Sequence, residues 1–340
     1  MMWPQSLAVW EEKRMVTRRR VVLALGAGAL TPLASFAQQA GRIYRIGWLS
    51  SSALRTESYN IAFEQRLREL GFAEGRNLVI EFRNAGGRLE KLPELAADLA
   101  RQNCDVLLAP GNEAILTAIV QATRDTPIVV VANDYDPVTT GHVASLARPG
   151  GRITGVSQLQ SELPAKRLEL LKELLPKAKK IVVFSDTTTA GQLKAVQAGA
   201  KQLGVTLQVH EFKLSPYDYE SAYTNAVRAK ADALLALSSA LFVPARRQIP
   251  ELALKHRLPS FFGNNLWAEA GGLLSYGPNF AEIYRRAAEQ VGRILQGMKP
   301  ADIPVEQPTT FELVINMKTA KALGIKIPNS ILVRATKVIE

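Results

Sequence analysis

Polar side chains follow many of the predicted strands of this 340-residue chain, at the points where those strands end. Because the carboxyl ends of parallel strands meet at one edge of a sheet, these loops should lie close together at helix N-termini. Hydroxyls and free backbone N–H groups suit a carboxylate, and an aspartate across a cleft suits an ammonium. The pattern predicts a site for a small zwitterion. The loops are residues 50–52, 111–113, 133–136, 185–189, 238–239 and 263–265.

Helix capping is the alternative interpretation of each loop, because caps also select Ser, Thr, Asp and Asn. Six such loops at one sheet edge favour a binding site without naming its ligand. Aromatic residues near the strand ends could form an apolar wall, and Trp267 and Tyr276 are candidates. Trp267 follows two asparagines in a predicted loop, whereas Trp48 lies inside a strand and is interpreted as a core residue.

Sequence signatures of catalysis and cofactor binding are missing from the chain. No glycine-rich phosphate loop follows a predicted strand. His142, His210 and His256 stand apart from one another at spacings unsuited to a metal. The stretch 155–157 lacks the second glycine of a nucleophile elbow. We expect no catalytic residue, no metal site, no cofactor and no enzymatic activity.

Short apolar runs alternate with helical patterns along most of the chain, which indicates parallel sheets covered on both faces. The scheme occurs once before about residue 157 and again after it, so we predict an α/β protein with two doubly wound parallel-sheet domains. The remaining elements near the C-terminus are too few for a third domain. We therefore expect them to complete the first two, with the chain crossing between domains more than once.

The N-terminal 37 residues have the order of a secretory signal. Arg18, Arg19 and Arg20 precede the apolar run 21–30, and a small-x-small motif ends at Ala37. We predict export with cleavage near Ala37. The pattern leaves both the general secretory and the twin-arginine route open, and Met15 is a second candidate start. An uncleaved membrane anchor is the less favoured alternative, because the apolar run is short.

The net charge and the cysteine content indicate where the protein is located and which partners it binds. The predicted signal holds five basic and two acidic residues, so its removal lowers the net charge from +11 to +8. The basic residues are scattered and do not alternate with aromatic ones, so nucleic-acid binding is not expected. Cys104 is the only cysteine and lies far from the cleavage site. We therefore predict a periplasmic protein that is not lipid-anchored.

Several stretches of the chain resemble the ABC-transporter substrate-binding protein family, which includes binders of aromatic amino acids. The resemblance covers essentially the whole chain after the predicted signal. The stretches are 44–49 (YRIGWL), 67–77 (LRELGFAEGRN), 145–155 (SLARPGGRITG), 166–172 (KRLELLK), 269–279 (EAGGLLSYGPN) and 311–324 (FELVINMKTAKALG). At 186–189 the chain has DTTT, where relatives commonly have an Asn-Pro-containing loop.

The resemblance implies a type I periplasmic-binding fold with a three-crossing hinge near residues 155–158, 275–279 and 303–309. The N-terminal lobe would comprise 42–155 plus 276–302, and the C-terminal lobe 156–275 plus 303–340. Carried over by position, ligand contacts fall at Ser51, Ser52, Asn112, Asp134, Asp186, Thr187, Ser239 and Asn264.

The resulting hypothesis is a monomeric periplasmic protein that captures a small solute, an amino acid or similar, by hinge closure. Its other partner would be an ABC permease in the inner membrane. Two alternatives remain at this point: an exported sensor that presents its bound state to a receptor, and an exported α/β hydrolase that uses carboxylates.

Overall fold

The alternating pattern forms regular strands and helices in a computed structural model, which describes residues 41–133, 135–158, 163–213 and 216–340. The predicted signal, 1–37, and Asp134 lie outside these residues. The strands are β1 (Tyr44–Ser50), β2 (Leu78–Asn84), β3 (Val106–Gly111), β4 (Ile128–Ala132), β5 (Ile153–Ser157), β6 (Lys180–Asp186), β7 (Thr206–Phe212), β8 (Ala233–Ala236), β9 (Ser260–Phe262), β10 (Leu274–Pro278), β11 (Phe311–Asn316) and β12 (Lys337–Ile339).

The helices alternate with these strands in the unit Tyr44–Glu340. They are α1 (Ser58–Glu69), α2 (Leu92–Arg101), α3 (Glu113–Ala122), α4 (Leu163–Leu174), α5 (Ala190–Leu203), α6 (Tyr219–Arg228), α7 (Gln248–Lys255), α8 (Asn265–Glu269), α9 (Phe280–Leu295), α10 (Met317–Leu323) and α11 (Asn329–Leu332). A 3₁₀ segment, Ala240–Ala245, follows β8.

Two sheets organise these elements. The first has the order β2-β1-β3-β4-β5 and is parallel throughout. The second has the order β12-β11-β10-β9-β8-β6-β7. Its pairs are parallel except β10 with β11, which is antiparallel. In both sheets the strand order reverses, between β1 and β3 in the first and between β6 and β8 in the second. Loops diverge at such reversals and leave a crevice at the carboxyl ends of the strands.

Helix α9 follows a strand of the second sheet but packs against the core of the first. Its apolar stripe includes Ile283, Ala287 and Val291, which are buried with Ile46 and Trp48 of β1. An amphipathic helix of this length gains most of its stability from such burial. The C-terminal part of the chain therefore contributes to both halves, as the sequence pattern predicts.

The chain changes sheet after Ser157, after Pro278 and again before Phe311. Before the last change, the segment around Glu306 runs beside β5, where Ser157 N donates to Glu306 O at 2.8 Å. Thr154 Oγ1 donates to Ile303 O at 2.7 Å in the same place. The lobe boundaries named above remain a prediction.

The prediction of an α/β fold with two sheets is confirmed, with two local corrections. The antiparallel β10–β11 pair departs from a wholly parallel sheet, because β11 returns directly beside β10 from the segment around Glu306. Trp267 lies in the short helix α8 and not in a loop, since Asn264 caps that helix through Leu266 N at 3.2 Å.

The described residues contain neither a membrane-spanning helix nor a cluster of metal-ligating side chains. No helix there is both long and apolar enough to cross a bilayer. Within the same part of the chain, no cluster of three or more His, Cys, Asp or Glu residues has the arrangement of a metal site.

Gly155 in β5 provides a test of sheet packing. Its φ is +149°, and a Cβ there would lie 2.1 Å from Val130 O on the neighbouring strand. Gly155→Ala should lower the free energy of unfolding by about 3 kcal/mol, combining overpacking with backbone strain. Urea denaturation measures the change. Gly151→Ala is the matched control, since a Cβ at Gly151 meets nothing within 4 Å. Equal stability of the two variants would contradict the close approach of β5 to β4 at Gly155.

Candidate functional site

A cavity of about 40 Å³ lies between the carboxyl ends of the two sheets. Both sheets and the helices α1, α8 and α9 supply its walls. None of its lining residues in the described part of the chain carries a charged side chain. They are Trp48, Ser50, Ser51, Ala53, Tyr59, Asn60, Pro110, Gly111, Asn133, Ser238, Ser239, Ala240, Val243, Asn264, Trp267, Phe280 and Tyr284.

The first sheet contributes polar groups from the ends of β1, β3 and β4. Ser51 directly follows β1 and is 2% exposed. Asn133 follows β4, where its backbone N–H donates to Gly111 O at 3.1 Å. The Asn133 Oδ1 atom is buried and has no hydrogen-bond partner among the described residues. A buried amide oxygen without a donor is costly, so this atom is suited to accept from a ligand.

The second sheet contributes Ser239, whose hydroxyl lies between the cavity and a buried carboxylate. Ser239 Oγ donates to Asp186 Oδ2 and accepts from Leu241 N at 3.0 Å, which caps the 3₁₀ segment. Asp186 also accepts from the backbone N–H and the hydroxyl of Thr188 at 2.9 and 2.7 Å. Burial raises the pKa of Asp186, and the hydrogen bonds from Ser239 and Thr188 oppose that rise. The Asp186 carboxylate therefore acts on the cavity indirectly, through the hydroxyl group of Ser239.

Aromatic rings form the other side of the cavity. Tyr59 of α1 packs against Phe280 and Tyr284 of α9, with ring centroids 5.7 and 4.7 Å away. Trp48 of β1 completes what we call the aromatic wall: Trp48, Tyr59, Phe280 and Tyr284. Burial raises the pKa of both phenols, so they stay neutral. Across the cavity, Trp267 stacks on Phe262 at 5.0 Å.

Two polar contacts join the halves of the molecule beside this cavity. Ser52 Oγ donates to Ala240 O, which connects the end of β1 to the 3₁₀ segment after β8. Arg246, directly after that segment, forms an ion pair with Glu57, directly before α1. The Glu57 side chain is only 11% exposed, so water screens this pair weakly.

A buried arginine supports the second-sheet side of the cavity. Arg167 of α4 donates from Nε to Tyr276 O at 2.7 Å and from Nη2 to Gly263 O at 3.2 Å. Gly263 directly precedes Asn264, and a Cβ at Gly263 would lie 1.9 Å from Ser238 Oγ. Burial lowers the pKa of Arg167 to about 9. Its guanidinium therefore connects the middle of β10 to the residue that follows β9.

Four of the sequence-predicted site residues line the cavity: Ser51, Ser239, Asn264 and Trp267. The structure places five others elsewhere. Asn112 caps α3 through Ile115 N, and Ser52 is bonded to Ala240 O. Asp186 lies behind Ser239. Thr187 is exposed in the loop after β6, and Tyr276 packs against Phe311. Asp134 lies outside the described residues.

Sequence reasoning missed the residues that helices contribute to the cavity, and it interpreted Trp48 as core. Trp48 is in fact 1% exposed and lines the cavity as well. Tyr59, Asn60, Phe280 and Tyr284 lie on helical faces whose periodicity predicts burial only. One available signal was the asparagine at position 60, a polar residue on the apolar side of α1.

The pH dependence of stability can test the burial of Asp186. Its raised folded-state pKa means that the folded protein holds the proton more tightly, so ionisation costs stability as pH rises above about 3.8. Asp186→Asn removes this cost. Relative to the unsubstituted protein, the variant should therefore gain stability as the pH rises from below 3.8 towards neutral, measured by urea denaturation.

Asp218→Asn is the control with the opposite sign. Hydrogen bonds from Ser221 lower the pKa of Asp218, so its ionised form stabilises the fold. That variant should lose stability relative to the unsubstituted protein over the same rise in pH. If the difference in stability between Asp186→Asn and the unsubstituted protein does not change with pH, the burial of the Asp186 carboxylate is contradicted.

Comparisons with known proteins agree with this architecture. A curated tyrosine-binding protein of Clostridioides difficile (strain R20291) is 29% identical over 267 residues, 78% of this chain and 76% of the relative. A conserved domain protein from Vibrio cholerae has a TM-score of 0.79 at 27% identity. An ABC domain from Streptococcus pneumonia in complex with L-Trp has a TM-score of 0.77 at 25% identity. Each structural match covers 87% of this chain and 100% of the other.

The model of one family matches residues 56–339, which is most of the chain and includes every strand of both sheets except β1. The cavity between the strand ends lies within the matched region, apart from the residues at the end of β1. The chain therefore belongs to the ABC transporter substrate-binding protein family.

Proposed function

We propose that this protein is the periplasmic binding component of an ABC importer and captures an amino-acid-like zwitterion in the cavity between its sheets. The observation that carries the proposal is a cavity with neutral polar strand ends opposite an aromatic wall. Family membership implies a small-molecule ligand and a permease partner. The names of two relatives, which specify tyrosine and L-Trp, support an amino acid. Export with cleavage near Ala37 and a monomeric state complete the proposal.

The polar groups of the cavity match the two ends of a zwitterion. An ammonium has three donors, and both Asn133 Oδ1 and the remaining lone pair of Ser239 Oγ can accept from it. Asp186, one hydroxyl away, favours a positive charge at that place. The hydroxyl of Ser51, on the first-sheet side, can donate to the carboxylate.

The size of the cavity indicates that solute uptake needs movement. A volume of 40 Å³ holds about three waters, which is less than an amino acid requires. The cleft must therefore widen to admit the solute, and the Ser52–Ala240 and Glu57–Arg246 contacts must break. We propose that they form again as the lobes close on the solute, so that closure and binding are coupled.

We also propose that the solute leaves unchanged. Ser239 is hydrogen-bonded directly to Asp186, without the histidine that activates a serine nucleophile in a triad.

Binding of the solute to the folded state should raise the free energy of unfolding by RT ln(1 + [L]/Kd), which is about 2.7 kcal/mol at a hundredfold excess over Kd.

A thermal-shift screen of the twenty amino acids tests the proposed function. At least one should raise Tm by several degrees, and native mass spectrometry should show one solute of unaltered mass per chain. The affinity for that amino acid should be at least tenfold lower in Ser239→Ala, because this variant lacks a hydroxyl group that lines the cavity. A screen without any stabilising amino acid, or recovery of a modified solute, would contradict the proposal.

The ion pair beside the cavity tests the coupling between closure and binding. Arg246→Ala should weaken solute affinity roughly threefold to tenfold, because it destabilises the closed state without removing a lining residue. Isothermal titration calorimetry measures the change. Arg247→Ala, one residue along, is the matched control and should leave the affinity unchanged. Equal affinities in all three proteins would contradict the coupling.

A further inference from the structure

Asn60 is a buried polar residue in the lining of the cavity. It lies in α1 next to Tyr59 and is 2% exposed. Its Nδ2 donates to Leu54 O at 2.6 Å. Its Oδ1 is buried and has no hydrogen-bond partner among the described residues. The side chain is thus half satisfied by the protein.

The bond to Leu54 O determines which end of the amide remains unpaired. Exchanging the two ends would place Oδ1 against Leu54 O, two acceptors in contact, and would lose that hydrogen bond. The unpaired atom is therefore an acceptor that requires an N–H or O–H. A buried acceptor left without a donor costs about 1–3 kcal/mol, so its retention in a cavity wall points to a donor on the ligand.

The position of Asn60 indicates which part of the solute meets it. The groups suited to a zwitterion, Ser51, Asn133 and Ser239, come from strand ends. Asn60 instead comes from α1, the helix that supplies Tyr59 to the aromatic wall. A solute with its charged groups at the strand ends directs its apolar part at this wall.

We propose that Asn60 is a specificity-determining residue whose Oδ1 accepts a hydrogen bond from a donor on the ring of the bound solute. The inference rests on the proposed function and specifies the solute class: a ring-bearing amino acid with a phenolic O–H or a ring N–H. A ring of the same shape without a donor leaves Oδ1 unpaired and binds more weakly. Sites that hydrogen-bond a substrate group reject analogues that lack it.

Two ligand pairs isolate the ring donor. L-Tyrosine and L-phenylalanine differ by the phenolic O–H, and L-tryptophan and 3-benzothienyl-L-alanine differ by the ring N–H. In each pair that binds, calorimetry should give a Kd that is roughly 10- to 100-fold lower for the member with the donor. These comparisons use the unsubstituted protein and so do not depend on any variant folding.

Asn60→Leu attributes the discrimination to this residue. It replaces the amide by an apolar group of similar size, so the ratio of the two Kd values in each pair should fall to below about 3. Asn77→Leu is the matched control in the same half of the molecule. Both ends of the Asn77 amide bond backbone atoms, Gly71 O and Ala73 N, away from the cavity. This control should keep the full discrimination.

Three results would overturn the inference: equal affinity within a pair that binds, discrimination that persists in Asn60→Leu, or no binding of any of the four amino acids. The thermal-shift screen separates these results from failure of the proposed function. If another amino acid stabilises the protein while the four ring compounds fail, only the role of Asn60 is wrong. If no amino acid stabilises it, the proposed function itself is wrong.

Discussion

The reversal of strand order within each sheet is the constraint on which the site depends. In the first sheet β2 and β3 lie on opposite sides of β1, and in the second β7 and β8 lie on opposite sides of β6. Consecutive connections must then leave in opposite directions, which opens a gap above the strand ends. Backbone groups in such a gap lack the cover of a crossing helix. Short polar side chains satisfy them, and the same side chains then face any molecule that enters the gap.

This constraint explains why capping and binding were hard to separate from the sequence. Ser239 and Asn264 cap their helical segments and also line the cavity, so their capping is seen while their contact with a ligand stays a prediction. Asn112 has the same residue type and the same kind of position at the start of α3, yet only its capping role is seen. The difference lies in how the two halves approach each other, because residues of the opposite half enclose some strand ends and not others. The local sequence around each strand end therefore does not predict which strand ends are enclosed.

The fold was more predictable than the site for a related reason. A buried strand such as β4 (IVVVA) is a continuous apolar run, and a helix such as α5 has apolar residues at helical spacing, so both signals lie within a short stretch of sequence. The aromatic wall depends instead on α9, which leaves the second sheet and packs on the first. Its sequence shows an amphipathic stripe, but the partner of that stripe lies more than 200 residues away. Tyr59 and Tyr284 could therefore be predicted as buried and not as neighbours.

If the solute is the zwitterion proposed above, the neutrality of the cavity lining has a physical advantage, because such a protein would have to both hold and release its solute. A charged lining residue would be desolvated on closure even without a solute, at a cost of several kcal/mol. Asp186 does not line the cavity, and the hydrogen bonds from Ser239 and Thr188 offset part of the cost of burying its charge. The Ser239 hydroxyl then presents a fixed dipole to the cavity, with its oxygen end available to a cation. Such a dipole gives orientation at moderate strength. We expect the remaining discrimination to come from buried groups that have no hydrogen-bond partner within the protein, and in the described lining these include the amide oxygens of Asn60 and Asn133.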